Sequence, residues 1–168
     1  MDTATVEGET GAGVEADADA ILFEQLYPSL HRFAAVTAGR DDDPDDLVQE
    51  AVARTLRSRS LSSLDHPGAY LRQAIVHLAS NRRRSLARGR VALSQLGNRE
   101  DGKAPEYTSD LSDLLRLQPV DRALLFLIEV EGRQYAEAAS LVGMTEEAAR
   151  TRAGRARHRL RLQIIEET

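Results

Sequence analysis

Six arginines, Arg150, Arg152, Arg155, Arg157, Arg159 and Arg161, fall within twelve residues of one another. A guanidinium group stays charged at any physiological pH. Its planar fork of donors fits phosphate oxygens and the edge of guanine. The stretch that carries these groups, QYAEAASLVGMTEEAARTRAGRARHRLR from Gln134 to Arg161, reads as two short helices joined by a tight turn at Gly143. Thr145 is a good N-cap for the second helix. On that helix Ala149, Ala153, Ala156 and Leu160 share one face and should pack inward, while Glu147, Thr151, Gly154, Arg155 and His158 fall opposite. Arg150, Arg157 and Arg161 flank the core face on one side, Arg152 and Arg159 on the other. Small and polar side chains at the centre with cations along the rims suit a DNA major groove. A solvated helix end would also collect arginines, because cations suit its dipole. Gly143 in the turn and the apolar positions before it favour the helix-turn-helix.

A second basic block lies far upstream. Pro67 opens a helix, with Asp65 or His66 as its cap, on which Leu71, Ala74, Ile75 and Leu78 form a core face. Gln73, Val76, Ser80, Arg83 and Arg84 point the other way, with His77 at the flank. The net charge of −5 hides this pattern. Residues 1–60 hold 13 acidic and 5 basic side chains, residues 61–100 hold 2 and 7, residues 101–140 hold 8 and 4, and residues 141–168 hold 4 and 6. Nucleic acid responds to the field within a Debye length of roughly 10 Å, not to the total charge. The acidic blocks are free to serve another partner.

The acidic run GRDDDPDDLVQE has a structural explanation. Asp43 before Pro44 is an N-cap carboxylate followed by proline at the first helical position, and Asp45 and Asp46 then sit where the helix dipole favours negative charge. A calcium loop would need a regular spacing of oxygen ligands and a distal glutamate, which the run lacks. No cysteine is present, and His31, His66, His77 and His158 show no metal-ligand pairing. No HExxH, Gly-rich phosphate loop or nucleophile elbow occurs. The chain is therefore expected to be a non-enzyme without metal or cofactor. It has no apolar run long enough to span a bilayer and no signal-peptide pattern, so a cytoplasmic location is expected.

These groups need elements to position them. Residues 1–18 read as a disordered acidic tail, since they have little apolar surface to offset ordering entropy. From Asp19 the pattern turns helical through Leu22, Leu26, Leu30 and Phe33, and Pro28 interrupts the run as a kink or a split. The helix after Pro44 presents Leu47, Val48, Ala51, Val52 and Leu56 inward, and RSRSLSSLD from Arg57 to Asp65 is a polar loop. In that loop Ser60, Ser62 and Ser63 offer hydrogen bonds and Leu61 and Leu64 an apolar wall to a ligand, or the segment is an ordinary solvated loop. Residues 91–110 lose periodicity and read as a linker, and helical signals return over 111–168, with Gly132 ending the apolar helix before the helix-turn-helix. The expected fold is all-α: two small helical domains, 19–90 and 111–168, joined by a flexible linker.

Two segments carry a family resemblance. DDLVQEAVARTL (Asp45–Leu56) followed by HPGAYLRQAIVHLASNRRR (His66–Arg84) resembles region 2 of the bacterial sigma factors of the extracytoplasmic function group. LQPVDRALLFLIEVEGRQYAEAASLVGMTEEAARTRAGRARHRLR (Leu117–Arg161) resembles region 4, and the likeness covers roughly residues 19–163. It implies a factor that directs core RNA polymerase to specific promoters and assists their opening. Asp46, Gln49 and Glu50 would bind core polymerase. Ser60, Leu61, Ser62, Ser63, Gln73, Val76, His77, Ser80, Arg83 and Arg84 would serve the −10 element of promoter DNA. Thr145, Glu147, Arg150, Thr151, Arg155, Arg157, His158 and Arg161 would serve the −35 element. An anti-sigma factor is a further implied partner. A repressor or activator with the same helix-turn-helix would need neither the DLVQE helix nor a second DNA surface.

The helical wheel separates base reading from phosphate contact. Arg155→Ala should relax sequence preference at one −35 position by about 1–3 kcal/mol. Arg161→Ala should instead weaken binding to all sequences and lower the salt slope by about one unit. Titration of both variants against a panel of substituted duplexes checks the split; the same uniform loss in both would overturn it.

Overall fold

The computed structural model describes residues 7–95 and 109–166. Among them the secondary structure is helical: α1 (Glu7–Thr37), α2 (Pro44–Leu56), α3 (Pro67–Gln95), α4 (Ser109–Arg116), α5 (Pro119–Leu125), α6 (Tyr135–Val142) and α7 (Glu146–Glu166). A π-helical turn, Phe126–Val130, extends α5.

The local signals act as their chemistry demands. Asp43 caps α2 by accepting from Asp45 N at 2.8 Å, with Pro44 next to it. Thr145 Oγ1 accepts from Ala148 N at 3.3 Å at the start of α7. Gly143, at φ 77°, closes α6 in the left-handed region, and Met144 N donates back to Ala139 O at 3.0 Å. Gly132 makes the equivalent turn, at φ 66°, after the π-helical segment.

Two expectations are corrected. The stretch read as a disordered tail is helical from Glu7, as a continuous extension of the packed helix α1, although Gly8, Gly11 and Gly13 are poor helix formers. Its described side chains are exposed up to Asp19, so the helix there carries no core face for periodicity to report. The stretch read as linker begins as helix for the same reason: α3 runs on through Val91–Gln95, and Leu86, Val91 and Leu93 are exposed. Pro28 lies inside α1 without splitting it. Residues 1–6, and 96–108 of the expected linker, lie outside the described residues.

The helices do not form two separate cores. One cluster joins Leu30, Phe33, Leu47, Val48, Leu71 and Ile75 of α1 to α3 with Ala123, Leu124, Leu127, Ala138, Ala139 and Val142 of the C-terminal helices. The Phe33 and Phe126 rings meet edge to face at 6.5 Å across this junction. A smaller cluster of Leu117, Leu125, Ala153 and Ala156 seats α7 on α5.

The junction is locked by a buried cation. Arg122 of α5 is 2% exposed. Its Nε donates to Val36 O at 2.7 Å, and its Nη2 to Thr37 O at 2.6 Å and Ala38 O at 2.8 Å. Its Nη1 donates to Leu117 O at 2.8 Å. The free carbonyls at the C-terminus of α1 are thereby capped by a charge from the other half of the chain. Burial, with the nearby Arg83 cation, pulls the Arg122 pKa down to about 10, so it remains charged at neutral pH.

Arg122→Met keeps the apolar stem but strands these carbonyls. We expect a loss of about 3 kcal/mol, from charged hydrogen bonds lost and acceptors left unmet. Chemical denaturation reads the loss. Small-angle scattering should show a larger radius of gyration with helix content unchanged; unaltered compaction would show that apolar contacts alone hold the halves together.

Candidate nucleic-acid and polymerase interfaces

The two sides of α7 fall as its wheel demands. Ala149, Ala153 and Ala156 are buried, and their small side chains let α7 lie close against α5 and α6. Glu147, Thr151, Gly154, Arg155 and His158 are exposed on the opposite side. Several flanking arginines are anchored by acids and rings. Arg150 bridges to Glu146 at 2.6 Å and lies over the Tyr135 ring at 4.6 Å. Arg157 donates to Glu129 at 2.6 Å and to the Tyr135 hydroxyl at 2.9 Å, and both bonds raise its pKa. Arg152 pairs with Asp121 at 2.8 Å. The rim cations are thus aimed by fixed partners, while Arg155 and Arg161 project as exposed side chains. Thr145 sits at the exposed helix start.

On α3 the basic face is divided. His77 and Arg84 are exposed, and Arg84 Nη2 donates to Asn81 Oδ1 at 2.5 Å. The other half is covered by the C-terminal helices. Val76, expected on the open face, is 3% exposed and belongs to the common core that α1 to α3 share with the C-terminal helices. Gln73 Nε2 donates to Ser140 O at 3.0 Å. A Cβ on Gly143 would stand 3.2 Å from the Gln73 Cδ, so the turn of the helix-turn-helix rests against this side chain. Arg83 donates to the carbonyls of Leu115, Arg116 and Leu117 at the end of α4. Ser80 is half-buried. Arg72 joins the same junction, 5.6 Å from the Phe33 ring centroid and 3.7 Å from Glu131.

The loop before α3 also differs from its expected form. Leu61 is 1% exposed and plugs the core, so it cannot wall an outward-facing base site. Ser62 and Ser63 are exposed and Ser60 and Leu64 are half-buried. The alternating apolar and serine residues gave no sign of which would turn inward; the body of α1 beneath the loop decides it.

On α2, Leu47, Val48 and Ala51 are buried, which turns Asp46 and Gln49 to solvent. Glu50 is tied up. It accepts from Arg82 at 2.7 Å and Arg54 at 2.5 Å, and Arg82 also reaches Asp42 at 3.1 Å. The Arg82 hydrogen bond, opposed by burial and aided by Arg54, holds the Glu50 carboxyl below its usual range. Asp45 is likewise engaged, by the Tyr27 hydroxyl and by His31. Among the described residues no cluster of acids, histidines or cysteines could hold a metal, and no helix is long and apolar enough to cross a membrane.

Comparison with known proteins agrees with this geometry. Residues 22–89 match the family model for sigma-70 region 2, and residues 114–160 match a model for sigma-70 region 4; together they span more than half of the chain. The chain is 28% identical over 143 residues to the ECF RNA polymerase sigma factor SigM of Mycobacterium tuberculosis, covering 83% of this chain and 73% of that protein. It is 29% identical over 156 residues to the RNA polymerase sigma factor CarQ of Myxococcus xanthus, covering 86% of this chain and 88% of that protein. Its fold is similar to that of the sigma factor RpoE of Bartonella quintana, solved with the anti-sigma factor NepR. That likeness has a TM-score of 0.59 at 22% identity, over 86% of this chain and 95% of the other. With the two sigma regions in order along it, the chain belongs to the sigma-70 family, in its extracytoplasmic function group, whose members direct RNA polymerase to promoters in transcription initiation.

Proposed function

We propose that residues 19–90 and 111–168 act as two promoter-reading units of this sigma factor. The exposed face of α7, with Thr151, Arg155 and His158 at its centre, reads the −35 element. The carrying observation is that this face stands clear of the alanine face that seats the helix. The loop before α3 and the α3 face from Gln73 to Arg84 serve the −10 element. Asp46 and Gln49 meet core polymerase, and Glu50 supports them through its ion pairs rather than by direct contact. The chemistry of RNA synthesis belongs to the polymerase; this chain supplies address and DNA opening and works in the cytoplasm.

The docked arrangement favours a further reading. Gln73, Val76 and Arg83 are occupied by the C-terminal helices, whereas Arg155 and His158 are open. The two units therefore part before the −10 face is used, and binding to core polymerase supplies the free energy for that change. An anti-sigma factor, such as the one bound by the RpoE neighbour, would act by holding the −10 face closed.

Two measurements test these assignments. Replacing Asp46 and Gln49 together with alanine should weaken core binding at least tenfold, about 1.4 kcal/mol or more, with helix content intact. Equal recovery of core subunits by the variant would remove α2 from the interface. Exchanging residues 60–65 for Gly-Ser should reduce thymine reactivity to permanganate in open complexes and alter −10 preference, while core and −35 binding persist; normal reactivity and preference would return the loop to a simple connector.

A further inference from the structure

A buried acid in α1 reaches this loop. Asp19 is 9% exposed, and each of its carboxylate oxygens takes a different backbone donor from the segment between α2 and α3. Oδ2 accepts from Leu61 N at 3.0 Å, and Oδ1 accepts from Ser62 N at 2.8 Å, across 42 and 43 residues of chain. The loop is held from below as well, by the buried Leu61 side chain. It is closed along its length by Leu64 N donating to Leu61 O at 3.1 Å and by Ser63 Oγ donating to Ser60 O at 2.7 Å. Ser62 and Ser63 are left facing solvent. Burial pushes the Asp19 pKa up, but the hydrogen bonds from Ser62 and Leu61 outweigh it and hold the carboxyl below its ordinary value of 3.8. The group is ionised at neutral pH, and charged acceptors make the stronger hydrogen bonds.

This geometry has a consequence for recognition. A solvated serine-rich loop would have to be ordered when a base enters it, and the ordering cost would fall on every base alike. A loop fixed beforehand does not bear that cost, and it presents its donors in one geometry, which separates a fitting base from a misfit. The fixing group stands on another helix and need not touch DNA.

We propose that Asp19 is a positioning residue for −10 recognition, holding the Leu61 and Ser62 backbone so that the loop serines meet an unstacked base in a single arrangement. The proposal rests on the reading of the loop as a −10 surface, and the test separates the two. Holoenzymes would be prepared with the full chain carrying Asp19→Ala, Asp19→Asn or the Gly-Ser exchange of residues 60–65. Each is titrated against fork-junction oligonucleotides bearing the −10 sequence of a promoter mapped by in vitro transcription, with every −10 base substituted in turn.

The exchange and Asp19→Ala should flatten preference at the same position, Asp19→Ala by roughly tenfold, as expected for the loss of two charge-assisted hydrogen bonds that order a loop. Asp19→Asn keeps the side-chain volume and one acceptor oxygen and should fall between, which also covers the case in which the alanine variant folds poorly. Affinity for core polymerase and for a −35 duplex should not change, and amide exchange at Leu61 and Ser62 should accelerate. If the exchange flattens preference while both Asp19 variants retain it, Asp19 is only part of the scaffold and the proposal fails. Equal losses in core, −35 and −10 binding would overturn it in the same way. If the exchange leaves preference intact, the loop reading fails and takes the proposal with it.

Discussion

The structure turns on the Arg122 guanidinium and the carbonyls it caps. A helix ends with unsatisfied acceptors and a partial negative charge, and burying such an end without a donor is costly. α1 ends at the centre of the molecule, and α5 supplies the cation. Lysine would not replace it, because one ammonium point cannot reach Val36, Thr37, Ala38 and Leu117 from a rigid plane. Once this cap is made, α5 lies across α1 and α3. Phe126 then meets Phe33, Glu131 comes to Arg72, and the turn after α6 falls onto Gln73.

The charge blocks of the chain acquire a spatial meaning from this docking. The acidic helix α2 is threaded by Arg82 and Arg54 through Glu50 and Asp42, which leaves Asp46 and Gln49 outward. Glu146 of α7, Glu129 of the π-helical turn and Asp121 of α5 hold Arg150, Arg157 and Arg152 in place without neutralising the exposed centre of α7. Surface pairs of this kind contribute little to stability, about 0–1 kcal/mol each. Their effect here is orientation: the paired arginines of α7 are held to restricted rotamers.

Much of this was legible in the residues. Asp43 before Pro44, Thr145 before α7 and the glycines 132 and 143 marked helix ends, because capping is a local interaction whose partners lie within a few residues. The alanine stripe of α7 named its buried face for the same reason. The helix in the tail and the α3 extension leave no trace in the apolar pattern, because an exposed helix needs no apolar period. The burial of Val76 is invisible to a helical wheel, which shows two sides of one helix but not what covers the second. Nothing in RSRSLSSLD distinguishes a leucine that turns inward, as Leu61 does, from one that does not.

The sequence by itself determined the all-α class and the buried and exposed sides of α7, which rest on spacings of three and four residues within single helices, and its two resembling segments carried the sigma regions. The tertiary structure alone decided which half of the α3 face is covered, that Glu50 is bound by arginines, and that Asp19 holds the loop 42 residues away. The physical reason is range. Periodicity and capping are set by neighbours along the chain, whereas a buried carboxylate or guanidinium takes whatever donors or acceptors the fold brings to it, and those partners have no fixed spacing in the sequence.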